Sequence, residues 1–151
     1  MAVAGKRVYV TDSGNDRVCV FEADKLRFLF SFGQKGGGLG QFRSPRGIAA
    51  HGSKLYVADQ LNHRIQVFSL DHVADSRCPP VGAIGGGASA TPGRFSAPSG
   101  VCVANNRLYV AEVGGERLQV LTLDGLPLQS ITSMGPSSSL HIRSRPYSFL
   151  V

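Results

Sequence analysis

Apolar residues fall in short runs along this chain, and the runs come in pairs. Residues 8–10 are followed, after a polar stretch, by residues 18–21. The pair returns as 55–58 with 65–68, and again as 108–111 with 118–121. These runs are rich in Val, Ile, Leu, Tyr and Phe, are too short for helices, and flank turn-forming residues, so each pair predicts an antiparallel hairpin. Asp12, Asn15, Asp59 and Asn62 suit the turns, because short polar side chains hydrogen-bond turn amides there. Arg17, Arg64 and Arg117 recur in register with nearby acids, which predicts structural pairing rather than ligand contact.

The pattern extends beyond the hairpin. Phe42, Pro45, Gly47 and Ile48 precede the second pair, and Phe95, Pro98, Gly100 and Val101 precede the third, with Phe42 and Phe95 each standing 13 residues before Leu55 and Leu108. Downstream, residues 26–32 form another strand candidate that runs into the glycine-rich stretch 33–40. Residues 81–84 and 126–131 are its counterparts. Each unit therefore carries four short strands, a to d, and a glycine loop over about 50 residues, which is the signature of a β-propeller blade. Leucine-rich repeats are shorter, helical repeats need a 3.6-residue periodicity that is not found, and an immunoglobulin-like sandwich does not repeat internally. The expected fold is all-β, with the a strands innermost.

The residues Phe42, Pro45, Gly47 and Ile48, then Leu55 to Asp59, then Asn62, Arg64, Ile65, Val67 and Phe68, resemble the NHL-repeat family of β-propellers. The resemblance covers nearly the whole chain. The third copy departs from it, with Glu112 in place of the Asp and Gly115 in place of the Asn, which leaves the hydrogen bonding of that turn open. Blade one is expected at 1–33, blade two at 46–85, blade three at 99–132, and the start of a fourth at 146–151. An insertion at 71–80 reads as a surface excursion.

Aligned on the repeat, residue 1 falls inside a strand a, and residues 145–151 align with 44–50. The resemblance implies rings of six blades or nearby numbers, which three blades do not close. The expectation is a fragment of a longer protein, or two copies that pair. Open blade faces and free edge strands predict self-association of the isolated chain.

Composition adds little to the fold and more to the partner. The chain is 42% hydrophobic and 17% charged over 151 residues, enough for one ordinary core. It has no apolar run of about 18 residues, so no membrane-crossing helix and no membrane partner are expected. No secretory leader pattern is present at the N-terminus. Cys19, Cys78 and Cys102 are odd in number and widely spaced, which suits a reducing, cytoplasmic setting and neither disulfides nor a zinc site.

The net charge of +6 makes acidic partners attractive. In an antiparallel blade the b–c turns and the d–a loops emerge at one end. The d–a loops, 33–46, 85–98 and 133–146, carry Lys35, Arg43, Arg46, Arg94, Arg143 and Arg145 and no acid. These six are the candidate binding residues of that face. The b–c turns offset them in part with Asp12, Asp16, Asp59, Glu112 and Glu116, themselves partly countered by Arg17, Arg64 and Arg117, so the face is mixed with a basic excess from its long loops. For RNA, phosphates would meet these cations while Phe42, Phe95 or Tyr147 stacked on bases; the alternative has both Phe residues turned inward as packing.

No catalytic motif stands out. His51, His63, His72 and His141 lack ligand spacing, there is no nucleophile elbow, and the stretch 33–42 lacks the P-loop lysine and helix. No metal, cofactor or catalytic residue is assigned. The leading expectation is a non-catalytic protein-interaction platform. The resemblance adds the substrate-recognition part of a ubiquitin-ligase system, although RING and B-box modules are not in this sequence. The alternatives are an RNA-binding propeller face and an NHL-type lyase or hydrolase fragment; the family's zinc-dependent lyases use histidine ligands that find no counterpart here.

Overall fold

The computed structural model describes residues 1–72 and 76–132. Within them lie three four-stranded antiparallel sheets, each ordered as in the sequence. The first blade is β1 (Ala2–Ala4), β2 (Arg7–Asp12), β3 (Arg17–Glu22) and β4 (Phe28–Phe32). The second is β5 (Pro45–His51), β6 (Lys54–Asp59), β7 (Arg64–Ser69) and β8 (Pro80–Gly85). The third is β9 (Pro98–Ala104), β10 (Arg107–Glu112), β11 (Arg117–Thr122) and β12 (Pro127–Thr132). Among the described residues the helical structure is a single 3-10 turn, Gln60–Asn62. Three such sheets, open at both sides, make an incomplete β-propeller, as the repeat predicts. The expected fourth-blade strand at 146–151, with Arg143, Arg145 and Tyr147, lies outside the described residues.

Local chemistry explains the hairpins. Asn105 and Asn106, between β9 and β10, adopt φ of 48° and 59°, the pair of left-handed residues that a two-residue hairpin turn needs. Each blade also shifts register at the same place on its third strand: Val20/Phe21, Val67/Phe68 and Val120/Leu121. A repeated bulge there adds the same local twist to every outer strand.

The core consists of two seams between blades. Tyr9, Val18 and Val20 of the first blade meet Ile48, Leu55, Val57 and Phe68 of the second. Tyr56, Ala58, Ile65 and Val67 meet Val101, Leu108, Val110 and Leu121 of the third. Alternate residues of β6 thus face opposite seams, so both of its faces are covered, and its run from Leu55 to Asp59 is buried throughout. This is why the middle copy of the motif reads as an unbroken apolar run.

Phe42 and Phe95 are both 0% exposed and fill these seams. Phe42 lies so close to Gly33 that a Cβ there would sit 2.5 Å from its ring, and Phe95 stands at the same distance from a Cβ on Gly85. Both glycines have positive φ, so the d strand ends where a side chain is excluded twice over. The inward reading of the two Phe residues holds, and neither presents a ring to solvent.

The a strands lie innermost: β5 packs along β9 on one side and β1 on the other. At Gly47 a Cβ would come within 2.7 Å of the Val101 amide nitrogen and 2.8 Å of the Ser99 carbonyl oxygen. The glycine two residues after the strand's proline therefore permits backbone-to-backbone contact at the centre.

The insertion at 71–80 is not simply a surface excursion. Cys78 turns into the first seam and is buried, because the chain must return there to begin β8. All three cysteines are free. The outer blades leave apolar side chains in solvent, with Val3, Leu26 and Phe28 on the first and Leu126, Leu128 and Ile131 on the third.

Candidate functional site: the turn end of the blades

The recurring acid and arginine form an inter-blade clamp. In the second blade, Asp59 at the end of β6 accepts hydrogen bonds from the Arg43 amide (2.8 Å), Asn62 Nδ2 (2.9 Å), Arg64 Nε (2.8 Å) and Gln66 Nε2 (3.0 Å). The Arg64 Nη groups then donate to three carbonyls of the preceding loop, those of Gly37, Gly38 and Gln41. Gln66 accepts from the Gly40 amide at 2.9 Å and donates to the Gln41 carbonyl at 2.6 Å. A glycine-rich loop has no side chains to anchor it, and here its backbone is gripped instead.

The third blade repeats this with altered residues. Glu112 accepts from the Ser96 amide, Arg117 Nε and Gln119 Nε2 at 2.6, 2.8 and 2.7 Å. Arg117 donates to the carbonyls of Ala90, Ser89 and Arg94, and Gln119 accepts from the Gly93 amide at 3.0 Å. The Glu needs the space that Asn62 occupies in the second blade. A Cβ at Gly115 would stand 3.0 Å from Glu112 Oε2, so the two departures from the repeat form a matched pair.

In the first blade Asp12 accepts from Asn15 Nδ2 and Arg17 Nε, at 2.9 to 3.0 Å. These two donors, Asn15 first, hold the Asp12 carboxyl below the usual carboxylate range, and Asp12 in turn raises Arg17. Cys19 stands where the other blades have Gln66 and Gln119.

Sequence reasoning missed the two glutamines. The available signal was a polar residue recurring in register in the middle of an apolar run. It also missed the last residue of each b–c turn. Asp16 and His63 share a left-handed conformation, with φ of 53° and 55°. Asp16 accepts the Ser44 amide at 2.7 Å, and His63 Nδ1 accepts the Ala97 amide at 3.0 Å. Each bond ties one blade to the residue just before the next blade's first proline. The His63 bond requires an unprotonated Nδ1.

The loops themselves are not simply displayed at the turn end. Gly40 lies against Pro80, and Gly93 against Pro127, the residues that begin the d strands at the opposite end. Each loop descends into the seam and returns, because the clamp holds it along the sheet. The basic candidates are therefore distributed. Arg43 and Arg46 come together at the turn end, where the Arg43 carbonyl accepts the Leu61 amide and Arg46 Nε donates to Gln60 Oε1 at 3.2 Å. Lys35 lies opposite Phe42 in the neck of the loop, and Arg94 reaches the Gly86 carbonyl. All four are exposed.

The recurring acids and arginines pair as their register predicts. Asp59 and Glu112 are buried and committed to Arg64 and Arg117. Each acid is neutralised by its own arginine, so neither offsets the exposed cations. The turn end is also continuous. Thr11 Oγ1 and Ser13 Oγ donate to the Arg46 and Pro45 carbonyls, and the Val113 amide donates to the Ala97 carbonyl beside His63. From this bonded framework Leu61 and Val113 project into solvent, 58% and 62% exposed. Among the described residues no group of three or more His, Cys, Asp or Glu side chains is placed to hold a metal ion, and no helix is long and apolar enough to cross a membrane.

No family model matches the chain. It is similar to NHL repeat-containing protein 2 of Gallus gallus, 30% identical over an alignment of 128 residues, with 78% of this chain and 17% of that protein covered. It is also similar to RING finger protein nhl-1 of Caenorhabditis elegans, 41% identical over 58 residues, which are 38% of this chain and 6% of that protein. The chain thus spans less than a fifth of these relatives. Among solved structures, the periplasmic gluconolactonase of Pseudomonas aeruginosa superposes on 89% of this chain and 39% of its own, with a TM-score of 0.64 and 20% identity. That likeness is one of fold alone.

Proposed function

We propose, from the likeness to NHL-repeat proteins and the incomplete β-propeller fold, that this chain is a non-catalytic protein-interaction platform whose contact surface is the turn end of its blades. The observation that carries the reading is the bonded framework there, which exposes Arg43, Arg46, Leu61 and Val113 while sequestering Asp59 and Glu112. A rigid surface of mixed cationic and aliphatic character suits protein contact, because little ordering is needed on binding. The likeness to a RING finger protein supports a narrower form, in which the propeller is the substrate-recognition part of a ubiquitin-ligase system and other sequence or another protein supplies the catalytic modules. Further blades or a second copy would cover the exposed apolar faces of the outer sheets.

A photo-crosslinking residue at position 61 or 113, compared with one at Ser53 in the opposite a–b turn, tests the platform. Protease-sensitive adducts at 61 and 113 but not at 53 are the expected result. No adducts, or equal adducts at all three sites, would sink the reading.

RNA binding is the second reading, and the exposed arginines favour it. It predicts adducts sensitive to nuclease, and affinity that falls with salt by about 0.7 log unit per log unit of salt for each phosphate contact. Phe42 and Phe95 lie within the seams and supply no stacking platform.

A further inference from the structure

Resting on the platform reading, we propose that the junction of the first and second blades binds an acidic peptide segment carrying an aliphatic residue. Its carboxylates would sit at Arg43 and Arg46, and its aliphatic side chain on Leu61.

Three observations on this junction agree. First, the positive charge is local. The third blade has Ser96 and Ser99 where the second has Arg43 and Arg46, so of the two junctions among the described residues only the first carries the cationic pair. Second, neither guanidinium is in an ion pair among the described residues: Asp59, which accepts the Arg43 amide at 2.8 Å, is paired with Arg64, and Asp16 accepts the Ser44 amide. Arg46 is steadied through Nε by Gln60, which leaves its Nη edge free to meet a carboxylate. Third, the apolar neighbours of this charge are aliphatic. Leu61, whose amide is bonded to the Arg43 carbonyl, stands exposed beside it, with Val113 further along the same framework.

The aliphatic neighbours separate a peptide from RNA. Guanidinium groups donate to carboxylate and phosphate alike, whereas single-stranded RNA is held chiefly by bases stacked on aromatic rings. Among the described residues the rings that could have served, Phe42 and Phe95, are fully buried, and the exposed apolar side chains at this end are Leu and Val. The exposed Glu116 of the third blade's turn also gives the surface a polarity. A bound segment would place its acids over the first junction and be neutral or basic towards the third blade.

Fluorescence anisotropy with the full chain decides this. The probe is a labelled 12-residue peptide of alternating Glu and Leu, compared with its Lys-for-Glu counterpart and with a 12-nucleotide mixed single-stranded RNA. The acidic peptide should bind and the basic one should not. Arg43→Ser with Arg46→Ser should weaken binding by about tenfold or more, Leu61→Ser by about three- to tenfold, and Lys54→Ser at the opposite end by less than about twofold. Circular dichroism would show each variant folded. Absence of peptide binding, or binding indifferent to Arg43 and Arg46, overturns the proposal. So does RNA that binds more tightly than the peptide and is indifferent to Leu61→Ser. Loss of the peptide result alongside protein crosslinks at positions 61 and 113 would remove the acidic-peptide chemistry and leave the platform intact.

Discussion

The first and second blades carry the same Asp–Asn–Arg turn, and the ion pairs have nearly the same length, 2.9 Å for Arg17–Asp12 and 2.8 Å for Arg64–Asp59. They are physically different objects. Side-chain exposure is 42% and 27% in the first pair but 11% and 0% in the second. The first behaves as a surface ion pair, competing with water and salt. The second is the node of a buried network, from which a charge cannot be removed without stranding its partner. The difference lies in the loop laid over it, which supplies carbonyls to Arg64 and an amide to Asp59. A turn motif therefore states geometry, and the loop that covers it decides its energetic weight.

The sharpest way to break the comparison is to remove the acids. Asp59→Ala should cost about 3–5 kcal/mol, because Arg64 and the Arg43 amide lose their acceptor in a buried site. Asp12→Ala should produce a far smaller drop in urea midpoint. Equal losses would show that the covering loop is not what matters.

The third blade offers the next test. Gly115→Asn alone should cost about 1–3 kcal/mol by crowding Glu112, and Glu112→Asp alone should loosen the grip on Arg117. Together they rebuild the second blade's arrangement. The double-mutant cycle should therefore show a favourable coupling of about 0.5–3 kcal/mol. Gln66→Ala follows at about 1–3 kcal/mol, from the stranded Gly40 amide, the Gln41 carbonyl keeping its bond from Arg64, whereas Cys19→Ala at the equivalent place should cost less.

Alkali sharpens the comparison of the seams. Burial raises Cys78 from 9.0 to about 11 and Tyr9 from 10.0 to about 12, with each other's proximity adding to the Tyr9 shift and Arg7 opposing both. Both groups are favoured neutral in the fold. Their contribution is complete below the unfolded values, and it is lost as pH rises from about 9 through about 12. Far-ultraviolet circular dichroism against pH should show unfolding in that window, and Cys78→Ala should move its onset upward. The smallest effect lies at the acid side. Asp12 is lowered in the fold, so its contribution is present at neutral pH and lost as pH falls through its folded value, a change visible only as a slight slope.

Much of this was legible in the sequence. The strands could be read because each is a short, self-contained apolar run, and the pairing of Asp59 with Arg64 because both recur at fixed spacing. The inward place of Phe42 could be read as one of two options, since it recurs in register with the fold. Three features could not be read. The path of the glycine loop depends on contacts with a sheet not yet formed when the loop is considered alone. The roles of Gln66 and Gln119 looked like ordinary polar positions of a strand until the loop lay across them. The separation of Arg43 and Arg46 at the turn end from Lys35 and Arg94 follows from the path of the loops, which belongs to the assembled seams.

The clamp also sets a clock. The loop around Phe42 leaves the first blade, but its grip waits for Gln66, made 24 residues later. At about 5–20 residues per second of synthesis, that interval is about one to five seconds. Until Ile48, Leu55 and Val57 are made within it, Tyr9, Val18 and Val20 face a seam with no other side. That face of the nascent blade is thus open to whatever else binds bare apolar strands, and it is released from that hazard only by the arrival of its neighbour.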